Sequence, residues 1–149
     1  MTNRVKLMLA LAATITLGAA QQEAPPIQVD CTPGPYIVFF DPDSSAIKKD
    51  AAEILDIAVE NQGSCGSVAV LAGHADTREK RGVSALRLKA VSNYLASRGV
   101  FVNPRNMLDF GARELRVKTP PNISERQNRR IELTYGPDNY VYPRRRQTK

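Results

Sequence analysis

The sequence predicts an α+β fold, a sandwich read as strand, helix, strand, helix, strand, loop, strand, with both main helices on one face. Two short and continuous apolar runs, Tyr36-Ile37-Val38-Phe39-Phe40 and Ser67-Val68-Ala69-Val70-Leu71-Ala72, have the character of buried strands. Each is followed by a segment whose apolar residues recur at helical spacing. Towards the end, Arg130-Ile131-Glu132-Leu133-Thr134-Tyr135 alternates polar with apolar, the pattern of a strand wet on one face.

The elements follow in order. Pro35 and Asp41 bound the first run, and Ser44 or Ser45 stands where a helix cap is wanted. Ile47, Ala51, Ile54, Leu55 and Ala58 form the first helical stripe, ended by Asn61-Gln62-Gly63. A strand–helix–strand crossover makes the first two strands parallel, and their cysteine-bearing starts are expected to be neighbours. Val83, Leu86, Ala90, Val91, Tyr94 and Leu95 make the second stripe, closed by Gly99. Residues 100–106, broken by Pro104, form a connector; residues 107–110 are a third strand ending at Gly111. Residues 113–126, with Pro120-Pro121, are expected as a long exposed loop.

Outside this unit, residues 1–20 read as a secretory signal. Arg4 and Lys6 precede an apolar stretch over 7–17, and Gly18-Ala19-Ala20 offers small residues for cleavage. The stretch is shorter than the roughly 20 residues a spanning helix needs. Residues 21–35 form a proline-dotted lead-in, 36–136 the domain, and 137–149 a basic tail carrying Arg144, Arg145, Arg146 and Lys149. Cys31 follows Gln28-Val29-Asp30 rather than a small-residue tripeptide, so no lipid anchor is expected there. Loss of the leader removes two basic residues and no acid, taking the net charge from +6 to +4. That mild excess suits an anionic polymer or membrane surface; no nucleic-acid partner and no cofactor are expected. Two cysteines in an exported chain make a Cys31–Cys65 disulfide the default. With one histidine and no second ligand pair, zinc is not expected.

Three groups of residues carry chemistry. Arg87 falls in the middle of the second apolar stripe, and a guanidinium there needs an anion, either an internal salt-bridge partner or a ligand. Ala72-Gly73-His74-Ala75-Asp76 closes the second strand, at the end where open sheets bind ligands. Asp76 also has the position of a simple helix cap, and His74 with Asp76 raises acid–base catalysis as a remote alternative. Asn128-Arg129-Arg130 opens the last strand; Arg130 shares a polar face with Glu132, which turns Arg129 inward.

Phe39-Phe40-Asp41, Ala72-Gly73-His74-Ala75-Asp76, Ser84-Ala85-Leu86-Arg87 and Asn128-Arg129-Arg130-Ile131-Glu132 occur in the order of the OmpA-like carboxy-terminal domain, which this chain resembles over residues 36–135. The resemblance implies a βαβαββ sandwich with a mixed four-stranded sheet. It also implies a periplasmic, cell-wall or outer-membrane-associated protein without a catalytic step, binding peptidoglycan through the diaminopimelate of its stem peptide. Carried over by position, Asp76 takes the ligand's ammonium and Arg87 its carboxylate, Arg129 lines the site, and Asp41 and Asn128 border it. Thr77-Arg78-Glu79-Lys80-Arg81 departs from the family pattern: the segment is about four residues short and lacks an asparagine. The alternatives are an OmpA-like interaction scaffold without wall affinity, serving an envelope protein partner, or a hydrolase using His74 and Asp76. On this reading Arg87→Ala or Asp76→Ala abolishes wall binding with little loss of stability.

Overall fold

The computed structural model describes residues 33–63 and 68–137. The leader, Cys31, Cys65 and the basic tail lie outside these residues. The chain runs β1 (Tyr36–Phe39), α1 (Lys49–Glu60), β2 (Val68–His74), α2 (Val83–Ala96), β3 (Met107–Gly111) and β4 (Arg130–Gly136), with 3-10 turns at Pro104–Asn106 and Arg126–Asn128. The four strands form one mixed sheet in the order β1-β4-β2-β3. β2 and β3 are parallel, while β4 is antiparallel to both β1 and β2.

The expected order of elements is therefore present, but not the expected adjacency. β1 and β2 run in the same direction with β4 inserted between them. Where they stand level, at Tyr36 and Leu71, they are thus two strand spacings apart, about 10 Å, rather than one. The interior place of β4 also overturns its reading as a half-exposed strand: all seven of its residues are buried. Arg130 and Glu132 are tolerated there because they share a face two residues apart and pair, Nε to Oε1 at 2.7 Å. Each supplies the other's counter-charge, so an alternation that looks wet is dry.

The core lies between the sheet and the two helices. Val38, Leu71, Ile131, Leu133 and Tyr135 from the strands meet Ala51, Leu55 and Ala58 of α1 and Leu88, Val91 and Leu95 of α2. Helix α1 begins later than the serines suggest: Lys48 is its N-cap with no side-chain cap bond, and the Ser44 hydroxyl instead accepts from the N–H of Ala46. On α2 the buried stripe is Val83, Ser84, Arg87, Leu88, Val91 and Leu95, so Leu86, expected inside, is exposed. The stripe lies one position round because α2 crosses β2 at Gly73. A Cβ there would come within 2.8 Å of the Leu88 side chain and 3.1 Å of the Ser84 carbonyl oxygen. Among the described residues no helix is long and apolar enough to cross a membrane.

Candidate functional site

Because β1 and β2 run together and β4 runs against them, the ends of β1 and β2 and the start of β4 meet at one edge of the sheet. Arg87, one turn into α2, joins them there. Asp41, Asp76, Arg87, Asn128 and Arg129 are gathered by this topology. The contacts they make, however, are with the protein itself.

Arg87 is wholly buried, with 0% of its surface exposed. Its Nε donates to the Ser44 carbonyl at 2.8 Å, Nη2 to the Asp41 carbonyl at 3.0 Å and Nη1 to the His74 carbonyl at 3.2 Å. The guanidinium also lies 5.0 Å from the centre of the Phe40 ring. Its charge is met by Glu79, whose side chain is 2% exposed: Nη1 donates to Oε2 at 2.9 Å and Nη2 to Oε1 in a shorter contact. Glu79 is bound further by the N–H groups of Asp43 (to Oε1, 2.9 Å) and Asp76 (to Oε2, 3.0 Å).

Asp76 does not face Arg87. Its Oδ1 accepts from the N–H groups of Arg78 and Glu79 at 3.0 and 2.9 Å, and its Oδ2 from the N–H of Glu125 at 3.0 Å and Arg129 Nη1 at 2.8 Å. Burial opposes ionisation of Asp76. The Arg129 guanidinium and the N–H groups of Glu125, Arg78 and Glu79 outweigh it and hold the carboxyl below its usual 3.8. Arg129, turned inward beside Arg87 rather than outward, also donates to the Phe40 carbonyl and to the Ser124 hydroxyl. The cap role of Asp76 is real but local: it caps the turn at 78–79, whereas α2 starts at Val83 behind Gly82, which takes φ +90°.

The two remaining border residues serve the frame. Asp41 is exposed and pairs with Lys48 at 2.5 Å; that hydrogen bond, with the charges of Lys48, Arg129 and Arg126, holds its carboxyl below the usual value against a desolvation that raises it. Its backbone carbonyl, not its side chain, touches Arg87. Asn128 is fully buried and grips Val117 from both sides: Oδ1 accepts from its N–H at 2.9 Å and Nδ2 donates to its carbonyl at 2.8 Å. With Thr77, whose hydroxyl bonds Pro120 and Ile123, it ties down the long segment before β4. His74 is buried, stacked on Phe110, with Nδ1 3.0 Å from the Glu114 carbonyl. A ring so enclosed presents no face to a substrate, which removes the support for the hydrolase alternative.

The residue missing from the sequence reading is Glu79. Its signal was present: Asp76-Thr77-Arg78-Glu79 has the acceptor-x-x-Glu spacing of a capping box, and both halves form, Glu79 N–H to Asp76 and Asp76 N–H to Glu79. Arg87, Arg129, Asp76 and Glu79 make a buried set of two cations and two anions, already neutral. A cleft of about 600 Å³ flanks the segment, lined among others by Asp76, Glu79, Lys80, Arg81 and Arg113.

No family model matches the chain. Its sequence is 32% identical over 99 residues to a peptidoglycan-associated lipoprotein of Pseudomonas aeruginosa, covering 64% of this chain and 59% of that protein. It is 34% identical over 105 residues to one from Rhizobium meliloti, covering 66% and 59%. The chain thus spans about three fifths of the length of the curated relatives it matches. Among solved structures, the peptidoglycan-associated lipoprotein of Burkholderia pseudomallei superposes with a TM-score of 0.56 at 23% identity, over 67% of this chain and 89% of that one. The OmpA-like domain of FopA1 from Francisella tularensis gives 0.52 at 17% identity, over 65% and 68%. The fold is that of an OmpA-like domain, and the chain is similar in sequence to peptidoglycan-associated lipoproteins.

Proposed function

We propose that this domain associates with the cell wall as a non-catalytic module of the periplasmic envelope, and that the edge of the sheet around Asp76, Arg87 and Arg129 is where the diaminopimelate head of a stem peptide docks. The relatives named as peptidoglycan-associated support the wall. The observation that carries the site is a carboxylate held in a bidentate grip by a fully buried arginine, with a second arginine and an aspartate beside it. A zwitterionic head, amine and carboxylate on one carbon, is recognised by an acid and a guanidinium close together. Lysine-type stems lack that carboxylate and leave the arginine unmatched. Binding requires Glu79 to withdraw, so apparent affinity is lowered by the fraction of time the seat is empty.

Sedimentation with purified sacculi tests this. The chain is expected to pellet with diaminopimelate-type sacculi, to be released by free diaminopimelate, and to ignore lysine-type sacculi. Failure to pellet would favour the second reading, an OmpA-like interaction scaffold without wall affinity. That reading draws on one fact: the seat is occupied by the protein's own carboxylate.

A further inference from the structure

We infer that Glu79 is this chain's own ligand: the Arg87 guanidinium and the N–H groups of Asp43 and Asp76 form a cradle for one carboxylate, and the Glu79 side chain fills it from within. Each carboxylate oxygen receives one guanidinium N–H and one backbone N–H. Oε1 takes Arg87 Nη2 and Asp43, while Oε2 takes Arg87 Nη1 and Asp76. Four donors on two oxygens is a complete carboxylate site, with the planar fork of arginine setting its geometry.

Three of the four donors, the two from Arg87 and the Asp43 N–H, belong to parts of the fold other than the connection that carries Glu79; the Asp76 N–H lies at the start of that connection. Arg87 is fixed on α2 and steadied by the carbonyls of Asp41, Ser44 and His74, so the cradle has three anchors that do not involve Glu79. Glu79 stands instead on the connection between β2 and α2, where Arg78, Lys80, Arg81 and Gly82 are exposed. The frame supplies the site and a surface segment supplies the occupant. Without Glu79 the buried set of Arg87, Arg129 and Asp76 carries one uncompensated positive charge, which a monocarboxylate restores to neutrality. An external carboxylate and Glu79 therefore compete for one seat. That the natural competitor is the stem peptide's carboxylate rests on the wall reading above; the cradle itself does not.

Truncation gives a direct test, because Glu79→Ala removes a methylene and a carboxylate, the size of acetate. At neutral pH, replacing sodium chloride by sodium acetate at equal concentration is expected to raise the Tm of Glu79→Ala by about 5 °C. Wild type, in the same salts, shows only the general salt effect, and Glu79→Ala/Arg87→Met shows no more than wild type. Should Glu79→Ala be unfolded in chloride, recovery of its native circular dichroism by acetate is the same positive result. No recovery, or equal acetate shifts in wild type and Glu79→Ala, overturns the inference. In a separate arm, Glu79→Ala is expected to bind diaminopimelate-type sacculi at least about 10-fold more tightly than wild type. Acetate rescue without sacculus binding by either protein leaves the cradle standing and removes the wall reading.

Discussion

Arg87→Ala separates a ligand-binding arginine that is structurally idle from one on which the fold depends. The sequence favours the first and expects little loss of stability; the structure supports the second. The substitution strands Glu79, 2% exposed, with its carboxylate facing an empty cradle, and frees the carbonyls of Asp41, Ser44 and His74 at once. Removing one member of a buried pair costs about 3–5 kcal/mol, because the charge left behind has neither water nor counter-charge. Against a total of about 5–15 kcal/mol for a domain of this kind, that is a large share. It corresponds to a fall in Tm of about 20 °C for roughly a hundred ordered residues. With no tryptophan in the chain, urea unfolding followed by far-ultraviolet circular dichroism is the suitable assay. The double variant Arg87→Ala/Glu79→Gln is expected to be less destabilised than the sum of the single variants by about 2 kcal/mol, the signature of coupled partners. A loss below about 1 kcal/mol in Arg87→Ala would place the pair in the class of solvent-screened surface bridges and refute its burial.

Three further outcomes follow from the same geometry. The Asp76 carboxyl is depressed in the folded chain, so the stability it supplies is complete above the unfolded value near 3.8 and is lost as pH falls through the lower folded value. Urea midpoints of wild type should drop on acidification below about pH 4 more steeply than those of Asp76→Asn, and parallel curves would contradict the assignment. Asn128→Ala leaves both backbone groups of Val117 without their partner, costing about 2–3 kcal/mol, and should bring proteolytic nicking into residues 112–126; an unchanged cleavage pattern would count against the brace. Gly73→Ala forces its Cβ against Leu88 and should cost about 1–3 kcal/mol, a loss that Leu88→Ala in the same chain should partly reverse in thermal unfolding.

The sequence disclosed what depends on local pattern. Helical spacing located both helices, and the position of Arg87 within an apolar stripe marked it as buried with an anion nearby. What escaped depends on pairing at a distance. Insertion of β4 between β1 and β2 is a matter of strand order, on which no local period bears, and it turned a strand expected to be wet into an interior one. Arg130 and Glu132 concealed that burial by neutralising each other. Leu86 and Leu88 lie on either side of Arg87, and the close approach at Gly73 decided which was buried. Glu79 was overlooked for a different reason: it was read only as part of a segment that departs from the family pattern, although its distance from Asp76 already fitted a reciprocal turn.

The carboxylate and the guanidinium it satisfies stand on separately replaceable pieces of chain. Asp76 pins one end of the short β2–α2 connection and Gly82 turns the other, while the guanidinium that grips the carboxylate is rooted in α2 and steadied by the carbonyls of Asp41, Ser44 and His74. A connection of different length or sequence can be grafted between those two pins with the receptor left intact. The OmpA-like framework thereby becomes a socket whose selectivity is set by a graft of a few residues, open to an incoming acid when the graft is neutral and shut when it carries its own.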